Sequence, residues 1–312
     1  MASRAAGEYP PVPEALAAPG VDTHTHLDIC TGNRGPIRPG EPAPEVDPAD
    51  AGEGADFPPL SFFYDTARAA GIPRIVQIGC EMGSARWTAQ TVADEAAAGR
   101  DWMLGGAAIH PNEAPRLAAA GLLEDSLAEV EELLGGDRMR VVGETGLDYF
   151  RTSAEDEGDM RAQRESFRAH IEIAKRRGLA LQIHDREAHA DVLRILREEG
   201  APEVTVFHCF SGDAAMAREC AAAGYFMSFA GNITFKNADG LREAAALVPD
   251  ALLLSETDAP FLTPHPYRGR PGGPYLTALT IRRLAQVRGA SEAHVADLVT
   301  ANAQRALGDW AL

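Results

Sequence analysis

Two histidines set two residues apart point to the chemistry of this sequence. His24 and His26 lie in the run VDTHTHL (21–27), and alternate residues of an extended strand share a face, so both imidazoles turn the same way. Later apolar runs bring Glu144, His184, His208 and Asp258, each at or near the C-terminal end of its run. Neutral imidazole and carboxylate are common ligands of divalent ions. Taken singly, each residue has a plain structural use as a packed histidine, a cap or a solvated partner. Six such groups on five strands around one axis are another matter, because burying them together without compensating charge is costly and bound cations remove that cost. Four histidines and two carboxylates exceed one tetrahedral site. They suit two ions ~3.5–4 Å apart with a carboxylate between them, an arrangement that acidifies a water and clamps the oxygens of an in-line displacement. The chemistry to expect is metal-dependent hydrolysis.

Positioning those groups requires strands that end together. The apolar runs are VDTHTHL (21–27), RIVQIGC (74–80), WMLGGAAIH (102–110), VVGETGLDY (141–149), LALQIHD (179–185), VTVFHCFSG (204–212), YFMSFAGN (225–232) and LLLSETDA (252–259). Each is too short and too β-branched or apolar to be a helix. The stretches between them are helical in pattern. In 160–177, Phe167, Ile171 and Ala174 recur at helical spacing beside a charged face, and Gly178 follows as a stop. Eight strands alternating with helices fit either a closed parallel barrel or a doubly wound sheet. Ionisable residues at most strand ends decide for the barrel, whose strand ends converge on one mouth, whereas an open sheet would spread them along an edge. The expected fold is an α/β (β/α)8 TIM barrel over residues 21–312. Residues 1–20 are Pro/Ala-rich and read as a flexible leader. The Pro/Gly-rich, acidic tract 31–59 reads as an insertion or long loop. Tract 263–274, TPHPYRGRPGGP, follows a strand directly and reads as an ordered loop.

Composition limits how a substrate is held. The 312 residues carry a formal net charge of −17, which disfavours a broad basic surface for nucleic acid. A pair of divalent ions supplies local positive charge that the residue sum does not show, so a polyanion gripped at one phosphate stays open. Four cysteines, Cys30, Cys80, Cys209 and Cys220, form no CxxC pair and read as free thiols of a reducing compartment. No run approaches the ~20 apolar residues of a membrane span, and the first 20 residues lack an apolar signal core. A cytoplasmic protein with no membrane association and no obligate protein partner is expected.

The motifs DTHTHLD (22–28), GETGLDY (143–149), IHDRE (183–187), FHCFSG (207–212), GNITFKNA (231–238) and SETDAPFLTPHPYRG (255–269) run in order along the chain. Together they resemble the motif set of the TatD-type metal-dependent deoxyribonucleases, which belong to the amidohydrolase-like TIM barrels. An HxH with later strand histidines marks only that superfamily; the ETDAP and HCFSG motifs narrow it to the family. The resemblance implies that His24 and His26 hold one ion with Asp258, that Glu144 bridges, and that His184 and His208 hold the second. It gives Asp258 the further task of orienting or deprotonating the attacking water, and sets His110 of AIHPNE near the substrate. Arg186 and Arg268 are candidate phosphate contacts, since guanidinium matches phosphate geometry. Asp148 and Glu256 flank the chosen carboxylates and read as groups that orient histidines or the loop. The implied cofactors are two divalent ions (Mg, Mn or Zn), and the implied activity is 3′–5′ exonucleolytic cleavage of single-stranded DNA.

Three departures from the pattern bear on substrate rather than on metal: the 31–59 insertion after the first strand, Asp185 where small hydroxyl residues are common, and GGP (272–274) in place of a more polar turn. The same activated water would serve an ester of aminoacyl-tRNA, a small amide or a lactone. The mouth-side motifs also carry Tyr149, Phe150, Phe210, Phe235, Lys236 and Tyr267, residue types that favour nucleic acid where they are not core. A non-catalytic metal-binding protein is the remote reading, because a decayed enzyme would be expected to lose ligands and all six are present.

Overall fold

The computed structural model describes residues 8–33, 57–152 and 156–311. All eight apolar runs contain strands: β1 (Val21–Thr25), β2 (Arg74–Gly79), β3 (Met103–Ala107), β4 (Met139–Asp148), β5 (Ala180–Arg186), β6 (Thr205–Phe207), β7 (Phe226–Phe229) and β8 (Leu253–Ser255). Each pairs in parallel with the next, in order β1 to β8. The ring closes just past β8, where Thr25 bridges Ala259, Asp258 N donates to His24 O at 2.9 Å and His26 N to Ala259 O at 2.8 Å. The fold is the expected TIM barrel, and its closure lies at the C-terminal mouth, beside the first histidine pair.

Parallel strands wrapped by helices are buried on both faces, which is why they read as apolar runs. The runs outlast the strands at their C-terminal ends. β6 stops before His208 and β8 before Asp258, since Cys209 and Asp258 adopt positive φ (43° and 58°) and carry the backbone out of the ladder. At one position the ladder needs glycine. Gly146 has φ 144° and pairs with His184, and a Cβ there would sit 2.0 Å from the His184 carbonyl oxygen.

The helix Glu157–Arg177 follows its sequence signals. Asp156 caps it by accepting from Asp159 N, Gly178 ends it at φ 64°, and Phe167, Ile171 and Ala174 are buried. One residue of this helix reaches the site's scaffolding. His170 donates through Nδ1 to Ser166 O at 2.7 Å and accepts at Nε2 from Ile109 N at 3.1 Å. Its ring also lies 3.1 Å from Thr145 Oγ1, next to Glu144. Burial pushes its pKa down to about 4, and protonation would set an N–H against the Ile109 N–H. With the folded pKa below the ~6.5 of an unfolded chain, the contribution is complete above ~6.5 and is lost as pH falls toward 4. Denaturant titrations should therefore find wild type more stable than His170→Gln at pH 7, with the gap narrowing by about 2 kcal/mol at pH 5. A gap independent of pH would assign His170 a packing role alone.

Residues 8–20 correct the expectation of a loose leader. Leu16 is buried and Tyr9 meets Phe62 and Phe63 edge-on at 5.6 and 5.5 Å. Prolines leave this strap few N–H donors, so its carbonyls are met from elsewhere in the chain: Arg270 donates to Glu8 O and Tyr9 O, Tyr275 to Pro10 O and Arg282 to Glu14 O. Residues 1–7, and 34–56 of the expected insertion, lie outside the described residues. The tract 263–274 is tied back by Thr263 Oγ1 to Arg270 O at 2.7 Å and Gly272 N to Pro260 O at 3.0 Å.

Candidate metal centre

At the mouth, His24 in β1 and His26 just past its end each have one nitrogen committed behind them. His24 Nδ1 lies 2.8 Å from Gln182 Oε1, and the Gln182 amide is fixed in that sense by donating from Nε2 to Thr23 O at 2.9 Å. His26 Nδ1 donates to Ile78 O at 2.9 Å. Both Nδ1 atoms therefore carry hydrogen, and both Nε2 lone pairs turn inward, 3.2 Å apart. Two acceptors aimed at one point need a cation or a proton between them. Asp258 Oδ1 stands 3.3 Å from His26 Nε2 and 4.0 Å from His24 Nε2, and Glu144 Oε2 is 3.7 Å from each.

Glu144 turns its other oxygen to a second group. Oε1 lies 2.7 Å from His208 Nε2 and is bonded by His184 Nδ1. Behind His208, Nδ1 donates to Glu256 Oε1 at 3.2 Å, and the same oxygen accepts Cys209 N at 2.6 Å. Behind His184, Nε2 faces Asp148 Oδ2 at 3.4 Å. Asn112 Nδ2 holds that Asp148 oxygen, while the backbone N–H groups of Phe150 and Arg151 hold the other. Asp148 and Glu256 thus stand behind histidines, where the sequence reading put them.

His110 differs from the other four histidines. Its Nδ1 accepts from Asn112 N at 3.0 Å, so the neutral ring carries its hydrogen on Nε2, 3.6 Å from Glu144 Oε1. That atom is set up to donate rather than to ligate.

The electrostatics follow from burial opposed by charge. Burial alone would raise the Glu144 carboxyl, yet His208, His110 and His184 hold it well below the usual range. Burial works against protonation of His208, and Glu144 and Glu256 nonetheless lift it well above an ordinary imidazole. His24, with no carboxylate behind it, is lowered by burial and by His208, whose ring stacks on it at 3.9 Å. The pocket favours positive charge between Glu144, Glu256 and Asp258. Glu256 Oε2 is also buried without a hydrogen-bond partner. The donor set, all nitrogen and carboxylate oxygen, with the second nitrogens of His24, His26 and His208 pre-committed, fits divalent cations. Ligand atoms of His24, His26 and Asp258 lie within 4.8 Å of one another.

The fold thus brings His24, His26, Glu144, His184, His208, Asp258 and His110 to one cluster. Arg186 and Arg268 stand outside it, each over an aromatic ring: Arg186 over Phe150 at 4.0 Å and Arg268 over Phe235 at 4.4 Å. Asp185 turns away from the cluster and pairs with His189 Nδ1 at 2.7 Å, so its charge is compensated there. The sequence reading missed Gln182 and Cys80. Gln182 lies two residues before His184, on the same face of β5, and that spacing was its available signal. Cys80 Sγ sits 3.4 Å from Glu144 Oε2, and burial pushes its thiol up to about 12, so it stays a neutral donor.

A family model described as "TatD related DNase" matches residues 21–308. The "uncharacterized metal-dependent hydrolase TatD" of Mycobacterium tuberculosis is 40% identical over 292 residues, covering 92% of this chain and 97% of that protein. The "uncharacterized metal-dependent hydrolase YabD" of Bacillus subtilis is 36% identical, covering 79% and 91%. Among solved structures, the TatD homologue YjjV of Escherichia coli superposes with TM-score 0.71 at 25% identity, covering 92% of this chain and 97% of that one.

Proposed function

This chain belongs to the TatD-related family of metal-dependent hydrolases, and we propose that it cleaves phosphodiester bonds of single-stranded DNA from the 3′ end, in the cytoplasm and without an obligate protein partner. The observation that carries the reading is the two-sided Glu144, with one oxygen toward His24 and His26 and the other toward His184 and His208. His24, His26, Glu144, His184, His208 and Asp258 would hold two divalent ions (Mg, Mn or Zn), which when bound would supply an acidified water and neutralise charge on the phosphoryl oxygens.

The chain's own groups do the rest. Asp258 Oδ1, at the mouth side of the β1 pair, orients the attacking water and accepts its proton. His110 Nε2–H donates to an oxygen of the reacting phosphate. Arg186 and Arg268 make no hydrogen bond or ion pair through their guanidinium groups among the described residues, which leaves planar forks for phosphates next to the scissile one. With a net charge of −17 the grip has to be this local.

The direct test uses metal-stripped protein, a 5′-labelled single-stranded oligonucleotide, and Mg, Mn or Zn added back. A ladder shortening from the 3′ end, abolished by chelator, is the expected result. Protein that binds the ions but cleaves no oligonucleotide would move the activity to another ester or an amide.

A further inference from the structure

Among the described residues four large hydrophobic side chains are exposed, Val12, Leu122, Phe150 and Leu247, and Phe150, the aromatic one, is the most exposed at 57%. Leaving an aromatic ring in water needs a reason when the same chain buries its other phenylalanines fully or in part. Phe150 follows β4 at the mouth, and its position is tied to the metal centre. Its backbone N–H donates to Asp148 Oδ1 at 3.1 Å, while the other oxygen of that carboxylate faces His184 Nε2 at 3.4 Å. Tyr149 N is pinned to Arg186 O at 2.9 Å, and Asp148 pairs with Arg186 in the ladder. The ring thus stands on the same rigid corner as a ligand histidine. The Arg186 guanidinium lies over it at 4.0 Å, and the exposure leaves the rest of the ring to solvent.

We infer that Phe150 and Arg186 form a stacking shelf for one nucleobase of the substrate strand, next to the phosphate at the metal centre; this rests on the phosphodiesterase reading above. The ring offers a π-face to any base, and the guanidinium offers both a stacking plane and free N–H groups to the adjoining phosphate. Such a shelf accepts a base only when it is unpaired from a complementary strand and unstacked from its neighbours, which gives single-stranded substrate its advantage without sequence preference.

The test pairs Phe150→Ala with oligonucleotides that each lack one base near the 3′ end, in the presence of whichever of Mg, Mn or Zn supports turnover. Phe150→Ala is expected to raise KM for the intact strand about tenfold while kcat changes less than twofold, the pattern of lost uniform binding. Phe150→Trp should restore wild-type KM. On the strand lacking the stacked base, wild type and Phe150→Ala should behave alike, because the partner of the ring is gone. An unchanged KM in Phe150→Ala, or the same penalty on every abasic strand, would overturn the shelf while leaving the phosphodiesterase standing. Failure of wild type to cleave any oligonucleotide with any of the ions would instead remove that activity and the shelf with it.

Discussion

Glu144→Gln is expected to fold, to lose most of its bound divalent metal, and to lower kcat/KM roughly 10³-fold, equivalent to several kcal/mol of charge stabilisation. The reason lies in the division of labour between its two oxygens. Oε2 is 3.7 Å from both His24 Nε2 and His26 Nε2, and Oε1 is 2.7 Å from His208 Nε2 and bonded by His184 Nδ1. A glutamine can satisfy the groups but not the charge. Its amide nitrogen can donate to the β1 lone pairs while its oxygen accepts from the second group, so the buried network stays hydrogen-bonded and the barrel has no cause to unfold. It then has one neutral oxygen where the proposed pair of ions would need an anionic carboxylate between them. Metal content after dialysis against a low concentration of the activating ion, measured with turnover on the same preparation, reads both effects. Wild-type metal content with turnover reduced less than tenfold would mean that Glu144 does not link the two groups of ligands.

What the sequence could reveal about this centre was set by periodicity. His24 and His26 share a face because alternate strand residues do, and the strand-end positions of Glu144, His184, His208 and Asp258 follow from apolar runs that all stop at one rim. Which nitrogen of each histidine faces inward was not legible. It depends on acceptors supplied by other strands, namely Gln182 Oε1, the carbonyl of Ile78 and the carboxylate of Glu256. Sequence has no measure of such pairings between residues 48 to 158 positions apart. The tautomer of His110 is set locally instead, by the backbone N–H of Asn112 two residues on, a turn geometry that residue types alone do not specify. Strand length failed for a different reason. Hydrophobicity continues past β6 and β8 because side chains there still pack, whereas the backbone has already left the ladder at Cys209 and Asp258. Proline-rich composition misread residues 8–20, because it reports a chain that cannot bond to itself and is silent on donors brought by Arg270, Tyr275 and Arg282.

Asp258→Asn should separate ligation from proton transfer, since the two functions assigned to Asp258 respond differently to loss of charge. The residue sits at φ 58°, a conformation that asparagine tolerates nearly as well as aspartate, and its backbone bonds to His24 O and from Phe261 N do not involve the side chain. The variant is therefore expected to fold with the barrel closed. An amide oxygen 3.3 Å from His26 Nε2 can still reach the first ion position, so metal is retained at least in part, in contrast to Glu144→Gln. The amide cannot accept a proton from water at neutral pH, and loss of a general base lowers turnover by ~10²–10⁴-fold. The expected signature is kcat down about 10³-fold, KM for the oligonucleotide changed less than about threefold, and the 3′-shortening ladder gone at wild-type enzyme concentration. Near-normal kcat in that variant would remove Asp258 from the proton path.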